Sequence, residues 1–182
     1  MPWTAPMTAT AGSIYTAAQF NTYTRDNTLE LRATPANRCV AYHNATQTVN
    51  SGNTDALNLN SEVYDTATMH DLVTNNSRIT IPSGGAGVYL FFGSTHVENA
   101  AATPTATLHL RISGTIIRSR RVVTDPAIGM RQQPIDVYAF HTLGAGDYAE
   151  LVGQAGSANV TFGSATAEQA TRLEVIGPLP PS

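Results

Sequence analysis

The stretch that most constrains the fold runs Arg78-Ile79-Thr80-Ile81-Pro82-Ser83-Gly84-Gly85-Ala86-Gly87-Val88-Tyr89-Leu90-Phe91-Phe92. It is a short alternating apolar run, a Pro-Ser-Gly-Gly turn, and then the most hydrophobic segment of the chain. Pro82 cannot donate to a β-ladder and so ends the first run, while the glycines supply the backbone angles of a tight reversal. Val88 to Phe92 is β-branched and aromatic without a gap, the pattern expected of a strand buried on both faces.

From Arg38 onward the apolar residues recur with period two. Strands are expected, among others, over Arg38–His43, Ala56–Leu59, Asp71–Val73, Ala106–Ile112 and Ile135–Leu143. Turns fall at Asn50-Ser51-Gly52-Asn53, Ser113-Gly114 and Gly144-Ala145-Gly146. About nine or ten strands at this spacing mark an all-β sandwich or barrel. Many antiparallel strands joined by long Greek-key crossings make the sandwich a jelly roll.

Residues 1 to 33 read differently. Residues 1–13 are an arm of Thr, Ala, Pro and Gly that orders only on binding something. Thr16 is placed as an N-cap with Gln19 three residues on, and Tyr15 can staple against Phe20, so a helix is expected over Ala17–Arg32. Phe20, Tyr23, Asn27 and Leu31 lie along one stripe of it. That stripe packs either on the chain's own domain or on a symmetry mate or larger assembly, with Asn27 fixing register. Residues 34–37 read as a linker, 38–177 as the β-domain and 178–182 as a Pro-rich tail.

Composition removes several function classes. Hydrophobic residues make up 42% of the 182 residues and charged ones 13%, with a formal net charge of -3. Such a chain has no bulk electrostatic reason to bind nucleic acid or an acidic membrane. All ten basic residues are Arg, which eliminates a P-loop lysine, Schiff-base chemistry and a Ser-Lys dyad. Cys39 is the only cysteine, so no intrachain disulfide forms, and a buried, inert thiol is expected. With no signal-peptide pattern and no apolar run of about 20 residues, synthesis in a cytosol as a soluble protein is expected. The Asn-x-Ser/Thr triplets at Asn44, Asn75 and Asn159 are read as chance in an Asn/Thr-rich chain.

Three motifs occur in register: Ile79-x-Ile81-Pro82-x-x-Gly85-x-Gly87-x-Tyr89-x-Phe91, then Leu108-x-Leu110-x-Ile112-Ser113-Gly114, then Leu143-x-x-Gly146-Asp147-x-x-x-Leu151. Together, over about Arg38 to Ile176, they resemble the complement-and-tumour-necrosis-factor superfamily. That resemblance implies a ten-stranded jelly roll associating as a tight homotrimer. The chain departs from the family in Ser113, where Asn is favoured, and in a last strand lacking Phe-x-Gly. Separately, Tyr15-Thr16-Ala17-Ala18-Gln19-Phe20-Asn21-Thr22-Tyr23-Thr24-Arg25-Asp26-Asn27 is similar to a segment near the start of tailed-bacteriophage virion proteins. This second resemblance implies a virion appendage, made in a bacterial cytoplasm and docked to other virion proteins through Phe20, Tyr23, Asn27 and Leu31.

No motif for catalysis stands out: Gly-x-Ser-x-Gly, His-Glu-x-x-His and paired cysteines are missing from the sequence. His43, His70, His96, His109 and His141 are scattered singly, so neither metal nor cofactor is expected. Arg118-Ser119-Arg120-Arg121 reads as a solvated edge that discourages strand pairing, with contact to an acidic virion protein as its alternative. The expected role is therefore structural and non-enzymatic, a trimeric tail or fibre component presenting a jelly roll to the host surface. A head decoration and a carbohydrate-degrading appendage are the alternatives. Tyr89, Phe91 and Tyr148 are the expected contacts between subunits, and Asn53, Asn76 and Tyr138 the expected contacts to a surface glycan.

Overall fold

The structure is a computed structural model that describes Thr16, Ala18 and residues 37–99, 105–123, 130–166 and 169–179, with backbone alone for Asn99, Met130, Arg131 and Gln132. The arm, the helix over Ala17–Arg32 and its stripe lie outside the described residues. The chain divides into two units, Met1–Thr34 and Pro35–Ser182, and the described residues of the second form twelve strands. They are β1 (Asn37–His43), β2 (Gln47–Val49), β3 (Thr54–Ala56), β4 (Ser61–Asp65), β5 (Arg78–Thr80), β6 (Gly87–Asn99), β7 (Thr105–Ile112), β8 (Thr115–Val123), β9 (Met130–Leu143), β10 (Tyr148–Ala155), β11 (Val160–Phe162) and β12 (Thr171–Leu179).

Two antiparallel sheets face each other. The seven-stranded sheet runs β2-β11-β6-β12-β1-β4, with β9 along the free side of β6. The five-stranded sheet runs β3-β10-β7-β8, with β5 also on β10. This is the expected all-β jelly-roll sandwich, with more strands than the ten expected and with β6 and β9 longer than expected. Asn37, expected in the linker, opens β1, and Pro178 and Leu179, expected in the tail, close β12.

The alternation along each strand fixes which side chains fill the sandwich. Tyr89, Phe91 and Val97 of β6, Ile135, Val137 and Ala139 of β9, and Leu173 and Val175 of β12 point inward from the larger sheet. Leu108, Leu110 and Ile112 of β7 and Ala149 and Leu151 of β10 meet them from the smaller one. Cys39 is buried among these residues, and burial pushes its thiol pKa up, which keeps it protonated and inert. Two expected strands are otherwise. Leu57 and Leu59 are buried, but β3 ends at Ala56. Asp71–Val73 is a turn, because the Asp71 Oδ1 accepts the backbone N–H groups of Val73 at 2.8 Å and Thr74 at 3.0 Å.

The organising stretch closes one end of the sandwich. Gly85 N–H bonds back to the Pro82 carbonyl at 3.0 Å, and the chain then enters β6. Tyr89, fully buried, donates its hydroxyl to the Gly85 carbonyl at 2.5 Å and accepts from Asn37 Nδ2 at 2.7 Å. A Cβ at Gly85 would lie 2.6 Å from that Asn37 nitrogen, and one at Gly177 would lie 2.5 Å from the Tyr89 ring. The glycines are thus the space in which the tyrosine latch sits.

The neighbouring turns are tied to this end by Asp147. Its Oδ2 accepts from Gly144 N–H at 2.7 Å and its Oδ1 from Ser113 Oγ at 2.9 Å, while its carbonyl accepts from Ile81 N–H at 2.8 Å. Ser113 and Gly114 both have positive φ, 44° and 86°, as a two-residue hairpin turn requires. Ser113 accepts that conformation and uses its hydroxyl on Asp147. The Gly144 N–H and then the Ser113 hydroxyl hold the Asp147 carboxyl below its ordinary 3.8. A depressed carboxyl contributes stability above that ordinary value and loses it as pH falls further. Acid titration followed by far-UV dichroism should therefore show a steeper loss of stability below about pH 4 for the native protein than for Asp147→Asn.

Candidate functional site: an exposed aromatic sheet face

The outward positions of β6 and β9 are the other half of the alternation. Val88, Leu90 and Phe92 alternate with the inward Tyr89 and Phe91, and Tyr138 and Phe140 alternate with Val137 and Ala139. Val88 is 39% exposed, Phe92 42%, and Tyr138 and Phe140 65% each. The ladder places them side by side: Phe92 opposite Tyr138, Leu90 opposite Phe140, and Ile176 of β12 opposite Leu90. Large apolar groups gathered on one face are uncommon on a lone soluble chain, whereas scattered ones are normal.

The rest of that face is polar and ordered. The Arg38 guanidinium sits 5.2 Å from the centroid of the Tyr64 ring and donates to its hydroxyl at 3.3 Å. Tyr64 donates in turn to Glu174 Oε1 at 3.4 Å, and Arg172 lies 3.8 Å from Glu174 Oε2. Glu174 is the ladder partner of both Val40 and Phe92. Among the described residues, Arg38 Nε is the one buried side-chain polar atom without a hydrogen-bond partner. Arg38 pairs with Ile176, in the same cross-strand row as Leu90 and Phe140. The apolar centre of this face is thus flanked by polar groups.

Tyr89, Phe91 and Tyr148, expected between subunits, stand in different places. Tyr89 and Phe91 are fully buried inside their own sandwich, so Val88–Phe92 is covered by its own chain on one face only. Tyr148 is half-buried on β10 of the other sheet, with the Arg78 guanidinium 4.7 Å from its ring centroid. The three do not form one surface. The residues that do are one position away in parity on β6, together with Tyr138 and Phe140. Tyr138 was expected at a glycan and instead belongs to this face. Asn53 lies in the turn before β3, where its carbonyl accepts from Ala155 N–H at 3.1 Å. Asn76 lies before β5, where its carbonyl accepts from Leu59 N–H at 2.9 Å and from the ring of His70 at 3.1 Å. The three expected glycan contacts thus stand on separate elements.

The basic run also divides. Ser119 and Arg121 of β8 pair with His109 and Thr107, whereas Arg118 and Arg120 pair with the inward Leu110 and Leu108. Alternation therefore sends the arginines to opposite sides of an edge strand. His109 is mostly buried on the outer face, within 2.7 Å of Ser119 Oγ and 3.3 Å of Gln154 Oε1. Burial lowers the pKa of His43.

No protein-family model and no curated protein sequence matches the chain. Solved structures do. The globular domain of the zebrafish complement 1qA protein superposes with a TM-score of 0.50 at 12% identity, covering 80% of this chain and 99% of that one. The Eiger tumour necrosis factor of S. frugiperda gives 0.55 at 13%, covering 81% and 96%. Murine APRIL at pH 5.0 gives 0.55 at 8%, covering 78% and 98%. The β-domain of this chain therefore has the jelly-roll fold of complement 1q and tumour necrosis factor domains.

Proposed function

We propose that this chain is a structural, non-enzymatic module that associates as a homotrimer through the outer face of the seven-stranded sheet. In this reading it is a component of a tailed-bacteriophage tail or fibre, presenting its jelly roll to the host surface. The observation that carries the association is the row of Val88, Leu90, Phe92, Tyr138 and Phe140 on one solvent-facing sheet surface. A second copy is the occupant because the superfamily the sequence resembles associates in threes. The virion assignment rests on the segment Tyr15–Asn27, and docking is assigned to Phe20, Tyr23, Asn27 and Leu31.

Three measurements test this. Light scattering on the purified protein should return three times the chain mass at micromolar concentration, and a monomer overturns the association. Deleting residues 1–32 should leave the oligomer intact but abolish incorporation into virions. Normal incorporation of the truncated protein would move docking to the jelly roll. The isolated oligomer should also bind host cells and compete with phage adsorption; unimpeded adsorption rules out the adhesive role.

A further inference from the structure

Away from the aromatic face, the connection between β4 and β5 folds over a cavity of about 510 Å³. That size falls in the range of small-ligand pockets. Its wall is built by the connection's own side chains. Asp65 holds the N–H groups of Ala67 at 3.0 Å and His70 at 2.8 Å, and Asp71 holds those of Val73 and Thr74. The His70 side chain is fully buried and spans the floor, with Nδ1 2.9 Å from Glu62 Oε1 and Nε2 3.1 Å from the Asn76 carbonyl. Thr68 and Asn75, at the two ends of the wall, have φ of 52° and 57°. Left-handed backbone at a β-branched residue such as Thr68 is strained, and strain of this kind gathers at binding and switch regions.

The free hydrogen-bonding capacity of the lining selects a ligand. The Arg78 guanidinium carbon lies over the Tyr148 ring, 4.7 Å from its centroid. Among the described residues its guanidinium makes no hydrogen bond, so its fork of donors is open to the cavity. Glu62 commits Oε1 to His70 and Asp71 commits Oδ1 to the backbone, which leaves one carboxylate oxygen on each to accept. The Thr68 and Thr74 hydroxyls do both, and Leu72 and Val73 add an apolar ridge. Two carboxylates disfavour an anion, and Arg78 disfavours a cation. A neutral ligand whose groups donate and accept side by side matches the set, and vicinal hydroxyls do so.

We infer that this cavity is a binding site for a neutral saccharide, held by Arg78, Glu62 and Asp71. This names a glycan site for the proposed adhesive role and rests on that reading, but it is independent of the association surface. A small zwitterion satisfies the charges too, yet it leaves the two threonines and the apolar ridge unused.

The test is amide chemical-shift mapping on the full chain. Probes are maltotriose, cellotriose, chitotriose and mannotriose, with sialyllactose as the anionic probe and free alanine as the zwitterion. At least one neutral trisaccharide should perturb amides within residues 62–80. Arg78→Ala should weaken it about tenfold or more, the worth of a charge-assisted contact. Arg78→Lys should recover only part of the loss, because an ammonium lacks the fork, and Glu62→Gln should weaken binding with the His70 contact retained. A variant whose spectrum outside 62–80 matches the native one is folded, and Arg78→Lys serves if Arg78→Ala is not. The inference is overturned if no neutral trisaccharide perturbs this region, if alanine or sialyllactose perturbs it in their place, or if binding survives both Arg78 variants. A protein that is monomeric by light scattering yet still shifts these amides separates failure of the association from failure of the site.

Discussion

Replacing Phe140 by glutamate is expected to convert the assembled protein to monomers while leaving each jelly roll folded. Phe140 is 65% exposed in the isolated chain and stands beside Leu90 on the outer face, so its substitution removes nothing from the core. Surface changes of this kind shift stability within about 0.5 kcal/mol. The proposed assembly covers the same position, and an unpaired carboxylate must then be desolvated there or the interface must open. A weakening of association by about a thousandfold, near 4 kcal/mol, is the expected scale. Sedimentation at micromolar concentration reads the change in mass, and thermal melting reads the fold. Ile116→Glu is the control: it is 48% exposed on β8 of the other sheet and should leave the mass unchanged. An oligomer that survives Phe140→Glu and Phe92→Glu alike would place the interface on another surface.

The second large effect lies at the Tyr89 latch. Tyr89→Phe keeps the ring in place and removes the oxygen that joins Asn37 Nδ2 to the Gly85 carbonyl. Both Asn37 and Gly85 are buried, and a buried group left without a partner costs about 1–3 kcal/mol. Tyr89→Ala removes the ring as well, leaving a cavity beside Phe91, 6.3 Å away centroid to centroid. Its cost should reach about 3–5 kcal/mol, a large part of the stability of an ordinary domain. Burial, the dominant effect, raises the Tyr89 pKa above its ordinary 10.0, so the hydroxyl stays a donor at physiological pH. Urea denaturation of the two variants gives both numbers. A Tyr89→Phe midpoint equal to that of the native protein would mean that the latch contributes no net stability.

The sandwich was legible in the sequence because period-two alternation and turn chemistry are local properties. Ser113-Gly114 and Gly144-Ala145-Gly146 mark reversals whatever surrounds them, and the alternation of Ala106–Ile112 repeats in its burial except at His109. Asp71–Val73 failed as a strand for an equally local reason: an aspartate that caps the amides two and three residues on competes with the ladder and wins.

The exposed aromatic face was not legible in the same way. In an unbroken run such as Val88-Tyr89-Leu90-Phe91-Phe92 either parity can face the core, and a shift of one residue exchanges the two faces. What chose Tyr89 and Phe91 for the interior was the hydroxyl's link to Asn37 and Gly85, residues 52 and four positions away, together with the glycines that leave it room. Once that choice was made, Phe92 and Tyr138 were brought together by pairing between strands whose register no local signal carries. The cavity beneath the β4–β5 connection has the same origin. Its chemistry comes from residues as far apart as Glu62 and Arg78, and the ring that steadies Arg78 comes from Tyr148. Sequence by itself determined the strands, the turns and the fold class, because these follow from neighbours along the chain. Tertiary structure alone decided which side chains face solvent and which distant groups meet, because burial and hydrogen bonding depend on partners that only the closed sandwich supplies.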